Sequence, residues 1–427
     1  MTDKRDTSGL DVRKSAHRMM QAITDEGRLM SEVIGGGGLD VLAPPDRARA
    51  QRLVTEALRG MGRADRLAKS HLKKTPPLFV QNALRLGTVE LVAGEAAHGV
   101  VNAYVEIVGR NKRTAAMKGL VNAVLRKVAE EIGNWGKMPV PVTPKWLRQP
   151  LVAAWGRQTV DRIERAHFAG APLDLTAKSD AEAVAHATGG IVLETGTVRL
   201  PQAVQVTTLP GFDTGDWWVQ DAAAALPVRI LAPVPGQRVL DLCAAPGGKT
   251  MQLAAAGAEV TAVDLSPVRM KRIEDNLART GLSARTVVSD AFAFDETGFD
   301  AVLLDAPCSA TGTIRRHPDL PHAKDGSEFG ALIDQQARLI DHALTLLKPG
   351  GTLLFCTCSL LPDEGEVQVD EALARHTGLT VDRAALDRPG VDPAWITEEG
   401  GLRLRPDLWP DIGGMDGFYI ALLRKPA

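Results

Sequence analysis

The chain has 427 residues, of which 44% are hydrophobic, 24% are charged and only 4% are aromatic. This length exceeds that of one ordinary domain, and the composition excludes a disordered or fibrous chain. The formal net charge of −2 hides an asymmetry, since residues 1–140 carry 23 Lys and Arg against 15 Asp and Glu, a net of +8, and the remainder carries −10.

The amino-terminal residues and the cysteine count bear on cellular location. The first twenty residues are charged and lack the apolar run of a secretory signal, and no stretch approaches the roughly 20 apolar residues that span a bilayer. Four cysteines in a chain of this length do not form a disulfide framework. We therefore expect a cytoplasmic protein without a membrane partner, in which free thiols are available for chemistry. No obligate protein partner is evident.

The first third of the chain is predicted to be helical. Residues 1–10 show no apolar periodicity and are predicted to be disordered. From residue 12 to residue 128, apolar residues recur at three- and four-residue spacing, and no strand alternation interrupts them. This pattern predicts a helical bundle. Its basic charge indicates either contact with a polyanion such as RNA or a solvated helical surface, and charge alone does not separate the two.

A linker and a mixed segment follow the bundle. Gly136, Pro139, Pro141 and Pro144 interrupt regular structure within nine residues. Helical patterns then precede short strand-like pieces, which predicts a small connecting α+β subdomain. We place the domain boundaries at 1–138, 139–230 and 231–427.

Beyond residue 236, short apolar strands alternate with helices. The strand-like pieces are RVLDLCA, EVTAVDLS, RTVVSDA, FDAVLLDAP and GTLLFCTCS. This alternation predicts a parallel α/β sheet with helices on both faces, a Rossmann-like architecture, whose ligands bind at the carboxyl ends of the strands.

The first predicted strand runs into a turn of small residues, Cys243-Ala244-Ala245-Pro246-Gly247-Gly248-Lys249. Such a turn lets the backbone approach a ligand closely. The next strands end in acids: Asp264 is suited to ribose hydroxyls, Asp290 to an adenine amino group, and Asp305 ends the fourth strand. A pyrophosphate of a nicotinamide cofactor needs a G-x-G-x-x-G loop, which is absent. The loop therefore favours S-adenosylmethionine, although each acid alone could be a cap at a strand or helix end.

Two cysteines follow the fourth and fifth strands and are predicted to lie at the cofactor edge. Cys308 stands in Asp305-Ala306-Pro307-Cys308, and Cys358 in Cys356-Thr357-Cys358-Ser359. Cys243 and Cys356 lie inside apolar strands and are interpreted as buried small hydrophobic residues. No C-x-x-C or paired His spacing is present, so no metal site is predicted.

This arrangement fits the chemistry of pyrimidine methylation. Carbon 5 of cytosine becomes nucleophilic when a thiolate adds to carbon 6. The reaction also needs an acid near ring nitrogen 3, for which Asp305 is the candidate, and a base that later removes the carbon 5 proton. The loop after Cys308 contains Arg315, Arg316 and His317, which either clamp a phosphate backbone or belong to a solvated loop.

These residues resemble a known family. DLCAAPGGKT, DLSPVRM, DAPCSATGTIRRHPD, TCSLLPDEGE and MDGFYIALLRK are similar, in that order, to the motifs of the Nop/Sun family of RNA cytosine-5 methyltransferases. LRLGTVELV, VNAYVEI and residues 120–126 resemble the NusB-like RNA-binding domain of the bacterial branch that methylates 16S ribosomal RNA. The resemblance implies a multidomain chain: an all-α NusB-like bundle, a connecting subdomain and a class I methyltransferase domain.

The resemblance also implies residue roles. Cys358 would be the nucleophile, and Cys308 would help release the methylated product. The segment from Cys243 to Lys249, with Asp264, Asp290 and Asp305, would bind S-adenosylmethionine, and Arg269 would support that pocket.

One segment departs from the family pattern. Where the family usually has Leu-Arg-Val-Asn, this chain has Leu173-Asp174-Leu175-Thr176, so an Arg and an Asn that could contact RNA are missing. Gln220-Asp221 does match. The departure leaves open the exact RNA and the exact cytosine. Open alternatives are the same chemistry on transfer RNA or DNA, a non-catalytic RNA-binding assembly factor, and a nicotinamide dehydrogenase.

Overall fold

The computed structural model describes residues 8–201 and 204–427. The α-helices of this part are α1 (Ser8–Thr24), α2 (Met30–Gly35), α3 (Pro44–Arg59), α4 (Met61–Lys69), α5 (Leu78–Val92), α6 (Ala97–Arg110), α7 (Lys118–Glu131), α8 (Lys145–Trp155), α9 (Arg157–Ala169), α10 (Ala181–Thr188), α11 (Ala222–Leu231), α12 (Gly248–Ala255), α13 (Pro267–Thr280), α14 (Leu320–Ala323), α15 (Phe329–Leu346) and α16 (Glu366–Arg375). The strands are β1 (Leu173–Ala177), β2 (Ile191–Val192), β3 (Val198–Leu200), β4 (Trp217–Val219), β5 (Arg238–Leu242), β6 (Glu259–Asp264), β7 (Arg285–Val288), β8 (Phe299–Asp305), β9 (Leu347–Thr357), β10 (Thr380–Val381), β11 (Leu402–Leu404) and β12 (Phe418–Arg424).

The chain forms two compact units. Of the described residues, unit 1 comprises 8–152, 157–169 and 314–325, and unit 2 comprises 153–156, 170–201, 204–313 and 326–427. The prediction of disorder for residues 1–10 is wrong for the last three, because α1 begins at Ser8, and residues 1–7 lie outside the described part. No helix of the described residues is both long enough and apolar enough to cross a bilayer.

Unit 1 is a helical bundle, as predicted. Its core is aliphatic, and α5 is buried around most of its circumference because its residues 82–91 pack on all sides. Inside this core, the Tyr104 hydroxyl donates to Glu90, whose carboxylate also pairs with Arg13 at 2.8 Å. A buried acid is tolerated there because it is paired and hydrogen-bonded.

A segment of twelve residues, 314–325, belongs to unit 1 although its neighbours in sequence belong to unit 2. The Met30 backbone N–H donates to Asp319 at 2.8 Å, and Arg59 donates to the Arg315 carbonyl at 3.0 Å. The Arg315 side chain is fully buried. This burial argues against the predicted phosphate clamp at that residue, and against its alternative of a solvated loop.

In unit 2, a small antiparallel sheet carries the segment that departs from the family pattern. Its strand order is β2-β3-β1-β4. Asp174 of β1 is completely buried and forms a double hydrogen bond with Arg199 of β3, at 2.7 and 2.8 Å. It also accepts the Ala222 backbone N–H at 3.1 Å. Asp174 therefore has a structural role that joins the small sheet to the start of α11.

The large sheet of unit 2 has eight strands in the order β10-β12-β9-β8-β5-β6-β7, with β11 pairing on β12. The five neighbouring strands β9, β8, β5, β6 and β7 are parallel, whereas β12 runs antiparallel to β9. The parallel portion is the predicted one. The antiparallel strands beside it are an addition to the predicted strands.

Helices cover both faces of this sheet because its central strands are apolar on both sides. Leu240 and Leu242 of β5 pack on one face with residues of α15, and Val239 packs on the other face with residues of α11. Alternating side chains of one strand thus enter two different cores, as expected for a parallel sheet buried on both faces. The carboxyl ends of the parallel strands form the edge of the sheet at which functional side chains can come together.

Candidate active site

Four predicted site segments meet at the carboxyl edge of the parallel strands. β5, β6, β8 and β9 end at Leu242, Asp264, Asp305 and Thr357 respectively. Because these strands are parallel neighbours, their carboxyl ends lie at one edge of the sheet. The residues that follow them are therefore brought together from positions more than a hundred residues apart.

The two cysteines are in direct contact. Cys308 Sγ lies 3.4 Å from Cys358 Sγ, and both residues are partly exposed free thiols. Their loops are also linked through the backbone, since Gly312 N–H donates to the Cys358 carbonyl at 2.9 Å. The contact with Cys358 and burial raise the pKa of the Cys308 thiol well above its ordinary value. Cys308 therefore holds its proton at neutral pH.

A buried carboxylate, Glu364, ties the two cysteine loops together. It is completely buried and accepts the backbone N–H of Ser309 at 2.9 Å, the Ser309 hydroxyl, and the Gln336 side-chain amide at 3.0 Å. The Ser309 hydroxyl in turn lies 3.2 Å from that of Ser359. The sequence analysis assigned Glu364 no role, although the residue lies in the TCSLLPDEGE motif six residues after Cys358.

Asp305 lies between a cation and a thiol. Its Oδ2 accepts from Lys249 Nζ at 2.7 Å, and its Oδ1 lies 3.6 Å from Cys356 Sγ. Burial is the largest single influence on the pKa of Lys249 and lowers it, but the charge and hydrogen bond of Asp305, together with Cys356 and Asp241, outweigh burial, so the net shift is upward and Lys249 stays charged. Burial, followed by the nearby Asp305, raises the pKa of Cys356 well above its ordinary value, in agreement with the predicted inert role of this thiol.

The turn after β5 is sharp and closely packed, in keeping with its small residues. Cys243 has a φ of +64°, Ala244 and Ala245 are buried, and Pro246 follows a cis peptide bond. Gly247 has a φ of +98°, and a Cβ there would lie 3.0 Å from Ile273. Only glycine fits this position, because a side chain would meet both backbone strain and a packed neighbour.

Residues at and after the end of β6 form hydrogen bonds with this turn. Asp264 accepts the backbone N–H groups of Ala245 at 3.1 Å and of Ser266 at 3.0 Å. Arg269 donates to the Ala245 carbonyl at 2.6 Å and lies 3.7 Å from the Asp264 carboxylate. Asp264 and Arg269 thus fix the conformation of the turn.

The remaining predicted residues of this site include Asp290, Cys243 and Gly248. Asp290 is exposed, lies two residues beyond the end of β7, and accepts the Phe292 backbone N–H at 2.9 Å, as a helix cap does. Burial, and after it the nearby acids, raises the pKa of Cys243 to about 12. Gly248 begins α12. In the described part of the chain, no group of three or more His, Cys, Asp or Glu side chains is arranged to hold a metal ion.

Comparison with protein families assigns both parts of the chain. Residues 228–424 match the family model of the 16S rRNA methyltransferases RsmB/F, and residues 10–130 match the NusB family. The chain is 34% identical to ribosomal RNA small subunit methyltransferase B of Erwinia tasmaniensis over 447 aligned residues, which cover 97% of this chain and 99% of that protein. The chain belongs to the RsmB/F family of methyltransferases. A second relative with the same name, from Pseudomonas putida, is 36% identical over 91% of this chain and 93% of its own.

Solved structures agree with this family assignment. The crystal structure of PH0851 superposes with a TM-score of 0.74 at 24% identity, over 96% of this chain and 98% of that one, and shows the same fold. A methyltransferase homolog protein from Pyrococcus horikoshii has a TM-score of 0.56 and 28% identity, over 66% of this chain and 95% of its own. The predicted multidomain fold, with a helical NusB-like part and a Rossmann-like methyltransferase part, is confirmed.

Membership of the RsmB/F family makes this chain an S-adenosylmethionine-dependent methyltransferase of ribosomal RNA, as predicted. The residues at the strand edge fit that cofactor. The turn carries no G-x-G-x-x-G phosphate loop, as expected for a cofactor without a pyrophosphate. Asp264 keeps lone pairs on both oxygens beyond its two backbone contacts, which ribose hydroxyls can use. The nicotinamide alternative and the non-catalytic alternative are set aside.

We expect Asp241→Asn to remove a pH dependence of stability. Burial raises the pKa of Asp241 to about 7, although the Thr250 hydrogen bond and Lys249 oppose this shift. An unfolded Asp has a pKa of about 3.9. As pH rises between these values, the unfolded chain loses the proton and the folded chain keeps it. The contribution of Asp241 to the free energy of unfolding therefore falls as the pH rises from about 3.9 to about 7, and it is constant above about pH 7.

Thermal unfolding of the wild type and of Asp241→Asn, measured from about pH 4.5 to about pH 8, checks this expectation. The variant keeps an acceptor for Thr250 but has no proton to lose. Its stability relative to the wild type should rise with pH and level off near neutrality. A difference that stays constant across the range contradicts a raised pKa at Asp241.

Proposed function

We propose that this rRNA methyltransferase modifies carbon 5 of a cytosine in small-subunit ribosomal RNA and that Cys358 is the covalent nucleophile. The observation that carries the proposal is the sulfur–sulfur distance of 3.4 Å between Cys308 and Cys358 at the cofactor edge of the sheet. Two thiols in contact beside a methyl-donor site are not needed for methylation of an amine or a hydroxyl. They suit a ring that must be activated by addition and later released.

The first step in this proposal is the addition of the Cys358 thiolate, formed when the thiol loses its proton to solvent, to carbon 6 of the cytosine. The new bond moves electron density onto carbon 5 and toward ring nitrogen 3. We assign neutralisation of that nitrogen to Asp305. The Asp305 carboxylate accepts a hydrogen bond from the Lys249 ammonium at 2.7 Å and can exchange a proton with Lys249. The bound S-adenosylmethionine supplies the electrophilic methyl group that carbon 5 takes up.

The second step releases the product. Carbon 5 then carries both its hydrogen and the new methyl group. Transfer of the carbon 5 proton to solvent leaves its bonding electrons to form the carbon 5–carbon 6 double bond as the sulfur–carbon 6 bond breaks. We assign help in this release to Cys308, because its sulfur touches that of Cys358 and Glu364 holds its loop. The electrons of the breaking bond return to Cys358.

The remaining site residues are proposed to hold the cofactor. These are the turn from Cys243 to Lys249, Asp264, Arg269, Asp290 and Asp305. The two relatives described above are named for the small ribosomal subunit, which supports small-subunit ribosomal RNA as the substrate. The NusB-like part, which carries the positive charge of the chain, is proposed to bind that RNA. A ribosomal substrate places the activity in the cytoplasm.

Bisulfite sequencing of ribosomal RNA from a deletion strain tests the proposal. One cytosine of the small-subunit RNA should lose its protection from conversion. A plasmid copy of the wild-type gene should restore protection, and a Cys358→Ala copy should not. A deletion strain with an unchanged pattern of protected cytosines in that RNA would overturn the proposal.

A further inference from the structure

The segment that carries the Cys358 sulfur is irregular. Residues 358–361 follow β9 and belong to neither a helix nor a strand, and we call them the Cys358 loop. The backbone carbonyl groups of its first three residues each accept a hydrogen bond, and the three donors come from separate parts of unit 2. Two of these donors are side chains, those of Arg403 and Trp155, and both residues lie outside the motifs that carry the family resemblance.

The outer two carbonyl groups of the loop have neutral donors. The Cys358 carbonyl accepts the Gly312 backbone N–H at 2.9 Å, and the Leu360 carbonyl accepts from Trp155 Nε1 at 2.9 Å. An irregular segment holds a functional side chain in one place only when its backbone is fixed by neighbouring groups. Trp155 therefore contributes to the position of the Cys358 sulfur, although its ring is separated from that sulfur by two residues of the loop.

The middle carbonyl group has a charged donor. Nη1 of Arg403 donates to the Ser359 carbonyl, while Nε and Nη2 donate to the two carboxylate oxygens of Glu366. The Arg403 side chain is only 3% exposed. Its guanidinium lies over the rings of Trp155 and Tyr419, at 5.5 and 5.1 Å from their centroids. A planar guanidinium that is bonded along its edges and covered on its faces has one available position.

The strand register explains how Arg403 reaches the Cys358 loop. Arg403 on β11 pairs with Tyr419 on β12, and Tyr419 pairs with Thr357, the last residue of β9. The three residues form one row across the sheet, and this row ends immediately before Cys358. A Cβ at Gly365 would collide with Nη2 of Arg403, so residue 365 must lack a side chain for the guanidinium to enter.

We propose that Arg403, assisted by Trp155, is a positioning residue for the methyl-transfer reaction. It fixes the Cys358 loop through the Ser359 carbonyl and thereby holds the sulfur where addition to carbon 6 requires it. The inference rests on the proposed function, in which Cys358 is the nucleophile. Arg403 bonds to the loop backbone and so acts through Cys358. Displacement of a reacting group by about 1 Å is enough to lower a reaction rate about 100-fold.

The competing explanation is that the ion pair of Arg403 and Glu366 serves only the stability of the fold. Arg403→Met and Glu366→Gln break this ion pair from opposite sides. Each leaves a largely buried charge without its partner, so each should lower the melting temperature by several degrees. The double variant contains neither charge and should recover most of that loss. Only the variants with Met at position 403 lose the donor to the Ser359 carbonyl.

The test measures methyl transfer by the full-length enzyme to a small-subunit ribosomal RNA transcript. For Arg403→Met, kcat should fall about 10- to 100-fold while KM for the RNA stays within about twofold of the wild type. The double variant should keep this loss of kcat although its melting temperature recovers. Glu366→Gln, which retains the Ser359 bond, should keep kcat within about threefold of the wild type despite its lower melting temperature.

Two further variants complete the test. Trp155→Phe keeps an aromatic ring beside Arg403 but cannot donate to the Leu360 carbonyl, so kcat should fall about threefold even if Arg403→Met does not fold. The matched control is Arg405→Met. The Arg405 guanidinium stacks on the same Trp155 ring and pairs with Asp407 at 2.9 Å, and among the described residues it donates to no carbonyl of the Cys358 loop. Its kcat should stay within about twofold of the wild type.

Cys358→Ala is measured in the same assay and separates two kinds of failure. If Cys358→Ala is inactive but Arg403→Met keeps the wild-type kcat, the positioning role is overturned and the proposed function stands. The same conclusion follows if kcat of the double variant recovers together with its melting temperature. If Cys358→Ala keeps the wild-type kcat, the proposed function is wrong and the positioning role is overturned with it.

Discussion

Replacement of Cys308 by alanine is expected to leave the enzyme covalently attached to its RNA, whereas replacement of Cys358 should abolish both attachment and methylation. The expectation follows from the proposed roles: one sulfur forms the bond to carbon 6, and the other helps to break it. Loss of the nucleophile should lower the methylation rate by more than about 10⁴-fold, as is typical when a covalent nucleophile is removed.

The measurement is a denaturing gel of radiolabelled substrate RNA incubated with each variant and S-adenosylmethionine. A slowly migrating complex should appear with Cys308→Ala, and digestion of the RNA should remove its label. The double variant Cys308→Ala with Cys358→Ala is the control and should give no complex. Attachment by Cys358→Ala but not by Cys308→Ala would reverse the two roles and favour the DNA-type assignment, in which the Pro-Cys residue is the nucleophile.

The second large effect is expected for Asp305→Asn. The amide keeps the size of the side chain but cannot exchange a proton with Lys249, 2.7 Å away. We expect the rate of methyl transfer to fall by about 10²- to 10⁴-fold, the usual contribution of a positioned acid or base. Single-turnover transfer of a tritiated methyl group measures this effect, with calorimetry to separate a loss of cofactor binding from a loss of rate.

Asp300→Asn is the matched control for this variant. Asp300 lies on the same strand, β8, but near its opposite end, where it pairs with Lys348 at 2.7 Å. Its replacement should lower stability somewhat and leave the rate of methyl transfer within about twofold of the wild type. A comparable loss of rate in both variants would mean that Asp305 acts through the fold and not through proton exchange.

The sequence predicted the active-site edge because its signals are local. Asp264, Asp305 and Cys358 each stand at or just after the end of an apolar strand, and parallel strands deliver such residues to one edge. The same rule predicted that Cys308 and Cys358 lie at the same edge of the sheet, although it gives no distance between their sulfur atoms. The antiparallel strand β12 was harder to predict, since its continuous apolar pattern defines no direction.

Glu364 could not be predicted, because its role comes from distant contacts. The local sequence Pro-Asp-Glu-Gly-Glu at 362–366 is typical of a solvated turn. Its burial is set by Gln336 on α15 and Ser309 in the Cys308 loop, 28 and 55 residues away.

The position of residues 314–325 in unit 1 has a consequence for biosynthesis. During translation, the helices of residues 8–131 leave the ribosome long before this segment does. The Met30 N–H can therefore bond to Asp319 only after nearly 290 further residues have been made. We infer that the amino-terminal bundle reaches its final stability only late in synthesis. A gene truncated before residue 314 would then encode a bundle with an uncovered apolar surface, and a catalytic fragment expressed from residue 231 onward would carry the same segment without the helices that normally bury it.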